Sequence, residues 1–156
     1  MTQTELLIVN FEEIRRRSIA LWNGLPEEYY FWKPDPDAMS ALELIRHVVG
    51  ADYGWNVIIN NNGDISTLQS PWKGRPYTNL ADDLQFAEPH RQSLLDSVRK
   101  FSATDLTTVE IVHPGNGRKR KLGDYLLRIG YHESVHAGQF LSYLRAMGVE
   151  RPFIWD

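Results

Sequence analysis

The chain has no cysteine, which excludes both a disulfide framework and a thiolate metal site. Any nucleophilic thiol in its chemistry must therefore come from a substrate. It also lacks a surplus of positive charge, since 17 Lys and Arg stand against 20 Asp and Glu for a net charge of −3 at pH 7. Nucleic acids and anionic membranes select cationic surfaces, so neither is expected as a partner. No apolar run approaches membrane-spanning length. The start, Met1-Thr-Gln-Thr-Glu-Leu-Leu7, has no charged segment leading into an apolar one, as a secretory leader would. A soluble cytoplasmic protein is the expectation. Neither internal repeats nor low-complexity segments occur, and 156 residues suit one domain over 1–156 with a real core.

What is present is helix periodicity in four segments separated by punctuation. The first runs from about Thr4 to Asn23, with Leu7, Phe11, Ile14, Ser18 and Leu21 on one stripe. Glu12, Glu13, Arg15, Arg16 and Arg17 fall largely off that stripe, and Gly24 and Pro26 end the segment. The second opens at Ser40, where Ser40-Ala-Leu-Glu43 has the pattern of a capping box, and runs to about Asn60. The third starts near Thr78 or Asn79 and passes through Pro89 as a local distortion rather than a terminus. The fourth follows Lys121 and stops at Gly148.

Four helices of about twenty residues predict an all-α four-helix bundle. The links of roughly seventeen residues exceed those of a simple up-and-down bundle, so at least one long crossover connection is expected. Thr108-Val-Glu-Ile-Val-His113 alternates and is followed by Pro114-Gly-Asn-Gly117, which predicts a small β-hairpin before the last helix.

The candidate chemistry lies in histidines. His132 and His136, in Tyr131-His-Glu-Ser-Val-His-Ala-Gly-Gln139, are four residues apart, and that spacing puts both imidazoles on one helix face. His47 lies on the second amphipathic segment, so two packed helices could bring all three to one point. Three neutral imidazoles leave a coordination position open on zinc, and nickel, manganese or iron are further candidates. A metal there would acidify bound water or thiol and polarise a carbonyl. Glu133 points about a hundred degrees away from His132 and is a poor ligand. Asp52 and Arg128 are better placed to orient a substrate or support the ligands, although Arg128 could equally pair with Asp124 or Glu43.

Other residues fit plainer roles. His90 sits beside Glu88, Pro89 and Arg91 on a polar helix face, where solvent exposure explains it, and His113 belongs to a loop. The run Arg118-Lys-Arg-Lys121 suits a solvated loop, and Trp32, Trp55, Trp72 and Trp155 suit packing.

A resemblance to a known family rests on particular stretches. Leu25-Pro-Glu-Glu-Tyr-Tyr-Phe-Trp-Lys-Pro34, Ser40-Ala-Leu-Glu-Leu-Ile-Arg-His47, Asp52 and Trp55 resemble the first half of the DinB-like superfamily of damage-inducible, metal-dependent helical bundles. Leu122-Gly-Asp-Tyr-Leu-Leu-Arg-Ile-Gly-Tyr-His132-Glu-Ser-Val-His136-Ala-Gly-Gln139 and Tyr143-Leu-Arg-Ala-Met-Gly148 are similar to its second half. The resemblance implies a divalent metal held by His47, His132 and His136. It also implies a homodimer and kinship with enzymes that use low-molecular-weight thiols, such as a mycothiol-dependent maleylpyruvate isomerase and bacillithiol transferases. Ser134-Val135 between the two histidines, and Gly50 where an acidic residue is common, depart from the usual wording without removing a ligand.

Two functional classes follow. One is a metal-dependent enzyme, a thiol-dependent transferase or isomerase or a hydrolase acting on a small molecule. The other is a non-catalytic metal- or ligand-binding bundle with a structural or stress-related role, in which the metal locks the second helix against the fourth. A nucleic-acid accessory role is disfavoured by the acidic balance.

Overall fold

The computed structural model describes residues Met1–Asp156. Four long helices, α1 (Gln3–Asn23), α2 (Ala41–Asn60), α3 (Leu80–Lys100) and α5 (Leu122–Met147), form the bundle. A short helix, α4 (Ala103–Thr108), and an antiparallel hairpin of β1 (Glu110–Val112) and β2 (Lys119–Lys121) fill the last connection. The hairpin lies where the alternating pattern puts it, but α4 was not anticipated. Its signal is Ser102-x-x-Asp105, which forms a capping box like those of Thr2 with Glu5 and Ser40 with Glu43. Lys119–Lys121, expected in a loop, form a strand instead, because they pair antiparallel with Glu110–Val112, with Lys121 also bridging to Glu110.

Each boundary has a local cause. The Ser40 side chain accepts from the Glu43 amide while Glu43 accepts from the Ser40 amide at 2.7 Å, satisfying two amides that the helix leaves unpaired. Asn79 caps α3 through the Asp82 amide. Pro89 lies inside α3, which continues through it. Gly148 ends α5 in the left-handed region at φ +71, the conformation glycine adopts most freely.

Helix directions follow from cross-contacts. Arg46 of α2 bonds Asp83 of α3, Asp52 bonds Arg91 and Asn60 bonds Ser97, so α2 and α3 run parallel. Trp55 lies against Tyr125 and Tyr143 donates to the Met39 carbonyl, so α2 and α5 run antiparallel. α1 packs against α3 and α5, whereas α1 and α2 lie across a diagonal. The bundle is therefore up-down-down-up. Parallel neighbours cannot be joined by a tight turn, which is why residues 61–79 return along the length of the bundle. Gly63, at φ +98, secures that return beneath the hairpin: the Val112 amide donates to the Asn62 carbonyl at 3.0 Å, and a Cβ on Gly63 would run into Val112 backbone.

The interior has two apolar clusters separated by a layer of charge. One contains Leu21, Trp22, Leu44, Ile45, Val48, Phe140 and Leu144, and the other Phe11, Ile59, Leu94, Val98, Tyr125 and Leu126. Between them each long helix contributes one charged residue: Arg15, Asp52, Arg91 and Glu133. Arg15 donates to Glu133 at 2.8 Å and to Asp52 at 3.0 Å, and Arg91 donates to Asp52 at 3.2 Å and to the Phe11 carbonyl at 2.7 Å. Two guanidinium groups and two carboxylates balance, which is how a dry interior tolerates them. The expected placement of Arg15 and Arg91 on polar faces is thus corrected, since both reach into the core to neutralise acids from other helices. Leu7 and Ile14 are only half-buried, and Ile8 takes the inward position on α1.

Candidate metal centre

The antiparallel run of α2 against α5 brings His47 opposite the pair His132 and His136. Their nitrogens gather in one cluster, all within 4.8 Å of one another. The Nε2 atoms of His47 and His132 are 3.1 Å apart, and the ring centroids lie 4.6 to 5.1 Å apart. Ligand nitrogens about 2.0–2.1 Å from one ion stand roughly 2.8–3.4 Å apart at octahedral to tetrahedral angles, so the closest pair already has the spacing a metal requires. The third imidazole, on His136, has its ligand nitrogen within 4.8 Å of the other two. Without a metal, two neutral imidazoles at this distance share a proton.

The donor set is chemically suited to a divalent ion. His132 and His136 are half-buried and His47 is exposed, leaving one side open. Burial, followed by the neighbouring His136 and His47, pushes the His132 pKa down to about 4, and burial with His136 pushes His47 down. Both are thus neutral near pH 7, the form that donates a lone pair. The Nδ1 of His136 lies 2.9 Å from Gln139 Oε1, and Gln139 in turn reaches the Tyr143 hydroxyl at 3.4 Å. A Gln139 oxygen accepting the Nδ1 proton leaves Nε2 as the free donor, the arrangement by which outer residues orient metal-binding histidines. In the sequence Gln139 stands only as the end of the histidine motif, with no signal of this role.

Glu133 faces away from the cluster, into the bond with Arg15. Asp52 is equally inward: its carboxylate is shared by Arg15 and Arg91, with burial pushing its pKa up and the two guanidinium groups pulling it down. Asp52 and Glu133 therefore set helix positions behind the histidines. Arg128 lies one turn before His132, as expected, but pairs with neither anticipated acid. Asp124 is bonded to Arg120 at 2.7 Å, and Glu43 is taken by the Ser40 cap.

Two cavities flank the cluster. One of about 260 Å³ is lined by Trp55, Arg128, Tyr131, His132, Val135 and His136. The other, about 460 Å³, opens on the His47 side beside Arg46, Gly50, Trp72 and Tyr77. Gly50 matters there, because a Cβ would stand 3.0 Å from the Trp72 indole nitrogen. Trp55 meets the His132 ring edge-on at 5.8 Å, so it is a site residue as well as a packing one. His90, expected in solvent, is half-buried between Tyr53 and Phe86, whereas Trp155, expected in the core, is 74% exposed. His113 is held locally, its Nδ1 accepting from the Gly115 amide.

Comparison with known proteins agrees with this architecture. A family model described as the DinB superfamily matches residues 10–140. The chain belongs to the DinB superfamily. Over 156 residues it is 26% identical to the uncharacterised protein YjoA of Bacillus subtilis (strain 168), covering 98% of this chain and 97% of that one. The crystal structure of the DinB-like protein YjoA from Bacillus subtilis superposes with a TM-score of 0.71 at 23% identity, covering 96% of both chains. At that identity the likeness establishes the fold alone. No helix is long and apolar enough to cross a membrane.

Proposed function

We propose that this DinB-superfamily chain binds a divalent metal, zinc foremost with nickel, manganese or iron as alternatives, through His47, His132 and His136, and that it is a metal-dependent enzyme for a small molecule. The observation that carries this reading is the convergence of three imidazoles from two helices beside open cavities, with Gln139 holding one of them in its donor form. Such a metal would supply Lewis acidity to a thiol, water or carbonyl oxygen placed at its open position. The protein groups would divide the remaining work. Trp55 and Val135 shape the cavity, Gln139 orients His136, and the Arg15–Glu133 bond sets the rotation of α5 that presents His132.

The reaction class we favour is a thiol-dependent transfer or isomerisation, with hydrolysis as the alternative. With no cysteine in the chain, a thiol would arrive as a co-substrate. A purely structural metal is the weaker reading, because α2 and α5 already share buried Val48, Phe140, Tyr143 and Leu144 and need no ion to hold them. A homodimer belongs to the same proposal and rests on the family resemblance, a cytoplasmic location rests on the absence of any spanning apolar run, and a stress-related role goes with the non-catalytic alternative. The exposed Leu6, Val9, Leu127 and Tyr131 offer a dimer a surface.

The test is elemental analysis of tag-free protein purified without nickel resin, for the wild type, His47→Ala and His136→Ala. Near-stoichiometric metal in the wild type that vanishes in both variants is expected. No metal in the wild type, and none taken up from added zinc, nickel or manganese, would sink the proposal.

A further inference from the structure

Arg128 is the one arginine shielded in part from solvent that the fold leaves without a carboxylate, the other unpaired ones, Arg118, Arg145 and Arg151, being exposed. Arg15, Arg46, Arg75, Arg91 and Arg120 each bond a carboxylate, and several add backbone carbonyls. Arg128 is half-buried, yet its Nε is shielded from solvent and bonds nothing. Its guanidinium lies 5.6 Å from the centre of the Tyr125 ring, one turn back along α5. The acids within sequence reach are committed elsewhere: Asp124 to Arg120, and Glu133 to Arg15. The shielded Nε is out of a ligand's reach, but Arg128 as a whole is half-buried and lines an open cavity, so its positive charge stands there with no carboxylate paired to it.

The walls say what that ligand is. The 260 Å³ cavity that Arg128 shares with His132 and His136 has no carboxylate in its lining. Its other walls are Trp55, Tyr131 and Val135, which offer aromatic and aliphatic surface. A guanidinium without a counter-charge attracts an anion, and its planar fork suits the two oxygens of a carboxylate. A metal on the histidines would add positive charge to the same cavity and strengthen that selection.

We infer that Arg128 binds the anionic group of the substrate, and that the substrate is a small carboxylate with an apolar body whose reacting end reaches the histidines. The second clause rests on the metal reading, whereas anion capture by Arg128 does not.

The test is titration calorimetry with benzoate and its neutral isostere benzamide. Both are titrated into wild type, Arg128→Met and Arg128→Lys, each prepared metal-free and zinc-loaded, with zinc content measured in parallel. Benzoate is expected to bind the wild type saturably and benzamide roughly tenfold or more weakly. R128M should weaken benzoate by about tenfold to a hundredfold while leaving zinc content unchanged, and R128K should recover part of the loss. Benzoate no tighter than benzamide, no saturable benzoate binding, or R128M binding as the wild type does would each overturn the inference. If the wild type takes up no zinc, the metal reading fails, and the metal-free titrations still decide the role of Arg128.

Discussion

Replacing Asp52 by alanine separates its two conceivable roles, a substrate-orienting group and a member of the buried charge layer. Its carboxylate is 3.0 Å from Arg15 and 3.2 Å from Arg91, with a side chain only 3% exposed. Without it, Arg15 keeps Glu133, but Arg91 keeps only the Phe11 carbonyl, and the layer holds two cations against one anion. Breaking a buried pair by removing one partner costs about 3–5 kcal/mol, and at roughly 2–4 °C per kcal/mol for a chain of this size Tm should drop by roughly 6–20 °C. Calorimetry and urea unfolding followed by far-ultraviolet circular dichroism measure that loss. Metal content should be unchanged, because Asp52 points away from the histidines. Pairing the change with a neutral partner, as Asp52→Leu with Arg91→Met, should recover most of the stability, since the remaining Arg15–Glu133 pair is balanced. A Tm loss below about 2 °C for Asp52→Ala would refute the charge-layer account. So would a double variant as unstable as the sum of its singles.

Gln139→Ala should weaken metal binding by about tenfold to a hundredfold in a chelator competition while leaving the helical spectrum intact, because only the orientation of His136 is lost. Metal-free protein should lose stability as pH falls from about 6.5, the unfolded value for histidine, towards the folded His132 value of about 4. In that window the unfolded chain binds more protons, so stability rises with pH, and His132→Asn should flatten the slope. Gly63→Ala should be among the most damaging single changes outside the core, since its Cβ meets the Val112 backbone, whereas Gly117→Ala, at φ +67 with open space around it, should cost only about 1 kcal/mol. Thermal melts of the two glycine variants give the comparison directly.

The sequence by itself determined the parts of this protein that depend on near neighbours. Helix periodicity and capping chemistry act within a few residues, so Ser40, Asn79 and Gly148 bound their helices without tertiary help. The alternation before Pro114 made the hairpin legible, and the spacing of His132 and His136 put two imidazoles on one face. What only the tertiary structure decided depends on partners far away in the chain. Amphipathicity says that a helix has an apolar face but not which helix meets it, so the up-down-down-up order and the opposition of His47 to His132 became visible only in the fold. Arg15 carries the same charge as Arg16 and Arg17 beside it, and Arg91 stands in the polar stretch His90-Arg-Gln92. They are buried because Asp52 and Glu133, on helices 37 to 118 residues distant, wait at the same level of the core. Arg128 is the converse case: a charge that looked ready to pair within its own helix was left unmatched, because Arg120 had already taken Asp124.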